Sequence, residues 1–154
     1  MKTKTTITQI DHEDLVDLFS TALYGSTMFG AIYDSIEYQN LPDKNDTDCF
    51  EDKIAKLLLA GKTVEVADQY AECDVDFYGS LPHTWDKENG LMLYTVSLTD
   101  IKKGIQRCFN YNKSKSTWLN RCAYDYLYCS EGNFDLPEAE SIMQVIIFGE
   151  EIYG

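Results

Sequence analysis

The chain predicts an α+β domain: about five helices packed with a small antiparallel sheet of two or three strands. Three observations carry that prediction. Apolar residues recur at helical spacing in several segments, two runs alternate with a period of two, and capping and turn residues punctuate the boundaries. The 154 residues suit one globular domain over 1–154 and are enough to bury a core. A hydrophobic fraction of 44% excludes a disordered acidic tail.

The first helix is marked by Asp11 as N-cap, with Glu13 and Asp14 at the positive end of the helix dipole. Leu15, Leu18, Phe19, Ala22 and Leu23 then form one apolar face, and Gly25 is a stop. In residues 26–41, Met28, Phe29, Ile32, Tyr33, Ile36 and Tyr38 fit a helix interrupted by Gly30 or an irregular aromatic segment. A short helix over 31–37 is the expectation. Leu41-Pro42-Asp43 opens a loop. Asp48 and Glu51 then frame a capping box for a helix that buries Phe50, Ile54, Leu57 and Leu58 and ends at Gly61.

Val64 and Val66 alternate with Glu65 and Ala67 in a strand over 63–67. Asn89-Gly90 is a turn signal, and Met92, Tyr94, Val96 and Leu98 line one side of a second strand over 91–98. The two runs are expected to pair antiparallel as a wide hairpin. Thr99 is the expected cap of a helix burying Ile101, Ile105, Cys108 and Phe109. After a polar loop, Trp118, Leu119, Cys122, Ala123, Tyr126 and Leu127 mark a helix ending near Gly132. A second box, Asp135-Leu136-Pro137-Glu138, starts the last helix, whose buried face is Ala139, Ile142, Met143, Ile146 and Ile147. Ile152 and Tyr153 are placed to tuck the tail back. There is no internal repeat, low-complexity tract or linker.

Charge is segregated along this sequence. The formal net charge is −13. Residues 5–43, 63–86 and 122–154 hold acids and no Lys or Arg, whereas 87–121 carries Lys87, Lys102, Lys103, Arg107, Lys113, Lys115 and Arg121. Three readings compete: the basic helix neutralises acidic neighbours within the fold, the acidic segments merge into one negative surface, or the basic stretch is a small nucleic-acid patch. The net charge argues against direct nucleic-acid binding and against anionic membranes, because both need clustered cations. It favours a basic protein partner.

Five cysteines, an odd number with no C-x-x-C spacing, read as reduced thiols acting mostly as small core residues. MKTKTTITQI lacks the apolar core of a secretory leader, and no apolar run has membrane-spanning length. The expected localisation is cytoplasmic.

No motif demands a cofactor or a metal. Asp74-Val75-Asp76-Phe77-Tyr78-Gly79 begins like a calcium loop, but Trp85 stands where the bidentate Glu is required. His12 and His83 are the only histidines, too few and too far apart for a zinc site. Cys73 and His83 share one loop and suggest a nucleophile pair, which acidic neighbours oppose by disfavouring the thiolate. No phosphate-cradling or serine-hydrolase signature occurs.

Residues 64–86 hold six acids and four aromatics without a cation, and they are the predicted partner surface. Glu65, Asp68, Glu72, Asp74 and Asp76 would steer encounter, while Tyr70, Phe77, Tyr78 and Trp85 would anchor it. Several stretches, Tyr24-Gly25-Ser26, Cys49-Phe50-Glu51-Asp52, Tyr78-Gly79-Ser80-Leu81-Pro82 and Phe134-Asp135-Leu136-Pro137-Glu138-Ala139-Glu140, make the chain resemble uncharacterised small acidic proteins of bacteriophages and mobile elements. The resemblance implies an accessory role inside a bacterial cell, and it carries over no functional residue. The leading reading is a non-enzymatic inhibitor or nucleic-acid mimic that occupies the basic groove of a nuclease or other nucleic-acid-binding defence protein. The alternatives are a small enzyme using Cys73 or His83 and a self-associating structural protein.

Overall fold

The computed structural model describes residues 9–32, 36–73, 79–128 and 134–153, with only the backbone at Ile32. The elements run α1 (His12–Leu23), β1 (Phe29–Ile32), α2 (Ile36–Gln39), α3 (Phe50–Leu59), β2 (Val64–Asp68), β3 (His83–Asp86), β4 (Leu91–Val96), α4 (Leu98–Phe109), α5 (Trp118–Tyr128) and α6 (Leu136–Phe148). The α+β class holds, but the described residues form six helices and a four-stranded antiparallel sheet in the order β1-β2-β4-β3.

The expected pairing of the two alternating runs is present: Val64 faces Val96 and Val66 faces Tyr94. Two strands escaped the sequence reading. Phe29 to Ile32 has apolar spacing compatible with a helix, yet it pairs with Asp68 to Glu65 as an edge strand. Ladder pairing outweighed local periodicity there; the short α2 overlaps the end of the expected helix, whose residues 33–35, Tyr33 among them, lie outside the described residues. His83 to Asp86 lies in the acidic stretch and pairs with Tyr94 to Leu91. Asp86 makes that hairpin by accepting hydrogen bonds from the amides of Glu88 and Asn89 and from Nδ2 of Asn89 at 2.8 Å. This engagement holds the Asp86 carboxyl below its usual range.

Two of the expected caps move. Ser97, rather than Thr99, caps α4: its Oγ accepts from the Asp100 amide at 3.1 Å, and Asp100 Oδ2 accepts from the Ser97 amide at 2.9 Å. Leu98 therefore opens the helix instead of ending the strand. Cys49 occupies the cap of α3 without a side-chain bond. Asp48 turns away to accept from the Tyr38 hydroxyl, the Asn45 amide and Lys56 Nζ. Lys56 first, then Tyr38, holds the Asp48 carboxyl at about 2, and burial together with Asp48 pushes the Tyr38 phenol up to about 12. The first helix is capped as expected by Asp11 with Asp14. Asp135 caps α6 by accepting from the Glu138 amide.

α6 is the central element. Glu138, Ala139 and every residue from Ser141 to Phe148 are buried, which a helix attains only when neighbours surround it. α1 and α3 pack together, α1 also packs on α6, and α4 packs on α6 and α5. Phe148 joins this layer to the inner sheet face through ring contacts with Tyr94 at 5.5 Å and Phe29 at 6.3 Å. The tail does tuck back: the amides of Ile152 and Tyr153 both donate to Gln144 Oε1 at 2.8 Å. Cys108 and Cys122 are core thiols, whereas Cys49 and Cys73 are exposed. Cys129 and Gly132 lie outside the described residues.

Candidate partner-binding surface

The predicted surface over 64–86 is only partly assembled. Glu65 projects from the outer side of β2 and is exposed, as is Glu72. Tyr70 is 44% exposed, its hydroxyl 2.8 Å from Thr27 Oγ1 and its ring edge-on to Tyr153. Trp85 is half-buried and packs against the core. Asp74, Asp76, Phe77 and Tyr78 lie outside the described residues.

Asp68 departs from its expected role. It is fully buried, and its two oxygens accept from the Tyr70 amide at 2.9 Å and from the Tyr153 hydroxyl at 2.6 Å. A carboxylate enclosed and bonded in this way ties loop and tail to the sheet and presents no surface to a partner. His83 is exposed; its Nδ1 donates to the Leu81 carbonyl at 3.1 Å and its ring lies 6.0 Å from that of Tyr94. Among the described residues no cluster of three or more His, Cys, Asp or Glu is arranged to hold a metal ion.

The end of the acidic stretch meets the basic helix. Gly79, Ser80 and Leu81 line a cleft together with Lys103, Gly104 and Arg107 of α4. Gly79 has φ of +78° and backs onto the Ile147 carbonyl, where a Cβ would stand 2.8 Å from the oxygen. No L side chain suits both the torsion and the space. This part of the stretch is therefore held against the C-terminal end of α6 and shares a cleft with Lys103 and Arg107.

A different acidic face lies across α6 in the packing order. Glu13 and Asp17 share one stripe of α1, Tyr24 is the C-cap of that helix, and all three are exposed. Tyr24 is 56% exposed, stacks edge-on against Phe50 at 4.7 Å, and donates to Glu51 Oε2 at 3.1 Å. Asp52 sits one residue further along α3, bonded to His12 Nε2 at 2.9 Å. The cations of this flank are engaged locally. Lys56 is 2.6 Å from Asp48 and also donates to the Asp43 carbonyl, and Lys53 lies over the Tyr38 ring at 5.3 Å. The flank thus combines exposed and half-buried carboxylates with a half-open aromatic pair.

Sequence reasoning had the raw material for this face, since residues 5–43 contain no Lys or Arg. It lacked the packing order that places α1 beside the start of α3 and separates both from α4 by α6. No helix among the described residues is long and apolar enough to cross a membrane. Comparison with protein-family models, curated proteins and solved structures returned no match.

Proposed function

We propose that the protein is a non-enzymatic binding module that docks an electronegative, aromatic-studded face onto a basic protein partner. Its sharper form is an inhibitor or nucleic-acid mimic that occupies the basic groove of a bacterial nucleic-acid-binding or defence protein. The observation that supports this most directly is the separation of the acidic α1–α3 flank from the cations of α4 by the buried helix α6. A fold that used its basic helix to neutralise these acids would pack the two together. Fixed carboxylates on rigid helices steer a cationic partner, and Tyr24 with Phe50 offers the aromatic anchor that supplies binding energy.

The test is capture from a bacterial lysate at low and high salt, followed by kinetics with the isolated partner. Glu13→Lys with Asp17→Lys and Glu51→Lys should slow association at least tenfold and flatten its salt dependence. Lys102→Glu with Lys115→Glu should leave capture intact. A parallel reversal of Glu65, Glu72, Asp74 and Asp76 reports whether the acidic stretch contributes to the same contact. A partner held equally by the wild type and by both acidic reversals would refute the electrostatic docking.

A further inference from the structure

The cleft against α4 is a separate feature with chemistry of its own. It has a volume of about 350 Å³, at the small end of the range for small-molecule sites. Lys103 and Arg107 are one turn apart on the helix face that lines it, so both cationic heads reach the same space. Lys103 is exposed and has no ion pair among the described residues. Arg107 is held in place: its Nη1 donates to the Gly149 carbonyl at 3.2 Å. Gly149 has φ of +86° at the end of α6, and a Cβ there would stand 2.5 Å from that same Nη1. The glycine therefore both turns the chain and leaves room for the guanidinium. One N–H is spent on this bond, and a guanidinium has five.

Asp100 also lines the cleft, but its Oδ2 is committed to the Ser97 amide and hydroxyl, both at 2.9 Å. Ser80 supplies a hydroxyl, and Leu81 supplies a half-buried apolar wall. The charge of −13 on the whole chain disfavours approach by polyanions such as nucleic acid or polyphosphate. A planar, singly charged group that an arginine fork can grip is the chemistry that remains.

We propose that the cleft between α4, the C-terminal end of α6 and residues 79–81 binds a compact monocarboxylate with a small apolar body. The experiment is an amide NMR titration with benzoate, run beside phenyl phosphate and inorganic phosphate. Benzoate should saturably shift the Ser80, Gly104 and Gly149 amides. Lys103→Gln and Arg107→Gln should each weaken it at least fivefold, and Lys115→Gln should not. Lys103 is exposed and has no ion pair among the described residues, so its substitution does not put folding at risk. Absence of saturable benzoate shifts, shifts that survive both substitutions, or tighter binding of either phosphate would overturn the assignment.

Discussion

The Tyr153 hydroxyl donates to Oδ2 of Asp68 at 2.6 Å, joining the C-terminal tail to the end of β2 across 85 residues of sequence. Asp68 is buried completely, so water cannot replace this donor. Tyr153→Phe keeps the ring that packs on Tyr70 and Phe148 but leaves a buried carboxylate with one fewer partner. The expected loss is about 1–3 kcal/mol in urea unfolding, with the m-value unchanged. Asp68→Asn should cost less, because its amide can keep accepting from Tyr70 while donating to the tyrosine oxygen.

How much of this was legible beforehand depends on whether the determining contact was local. Asp11, Asp135 and the Val64/Val66 alternation act within a few residues, and the sequence predicts them correctly. Phe29 to Ile32 and His83 to Asp86 become strands only because β2 and β4 offer ladder partners distant in sequence. Asp68 looked like one more surface acid in an acidic stretch. Its burial follows from where Tyr153 lands, which no local pattern encodes. The absence of Lys and Arg from residues 5–43 was visible in the sequence, but the isolation of Glu13 and Asp17 from α4 depends on helix packing order.

Glu138 carries a second buried carboxyl, on the first turn of α6 and hydrogen-bonded to Asp125 of α5. Its Oε2 has no hydrogen-bond partner among the described residues. Burial first, then the bond to Asp125 and the negative charge of Asp125 and Asp135, pushes the Glu138 carboxyl up to about 8, against the attraction of Arg121. At neutral pH the Glu138 carboxyl is therefore held protonated, which suits an oxygen left without a donor. The folded chain holds this proton where the unfolded chain, with an ordinary value of 4.5, releases it. Stability contributed here is fully present below that ordinary value and declines as pH rises to about 8. Glu138→Gln, permanently neutral, should flatten this part of the profile and exceed the wild type in stability above pH 8. Urea midpoints measured at intervals across the window decide it, and a wild-type midpoint that does not fall with pH would contradict the raised Glu138 carboxyl.

Gly104 sets how closely α4 approaches α6. It is buried in the middle of α4, where alanine would ordinarily gain about 1 kcal/mol from helix propensity. Here an added methyl would collide with Ile146 Cγ1 and stand 2.7 Å from Ile146 Cα. The side-chain atom can rotate away, but the backbone atom belongs to a helix buried along nearly its whole length. The overpacking cost of about 1–3 kcal/mol therefore outweighs the propensity gain. Gly104→Ala should lower the melting temperature while the far-ultraviolet spectrum of the folded state keeps its helical signal. An unchanged or higher melting temperature would mean that α4 and α6 have slack at this contact.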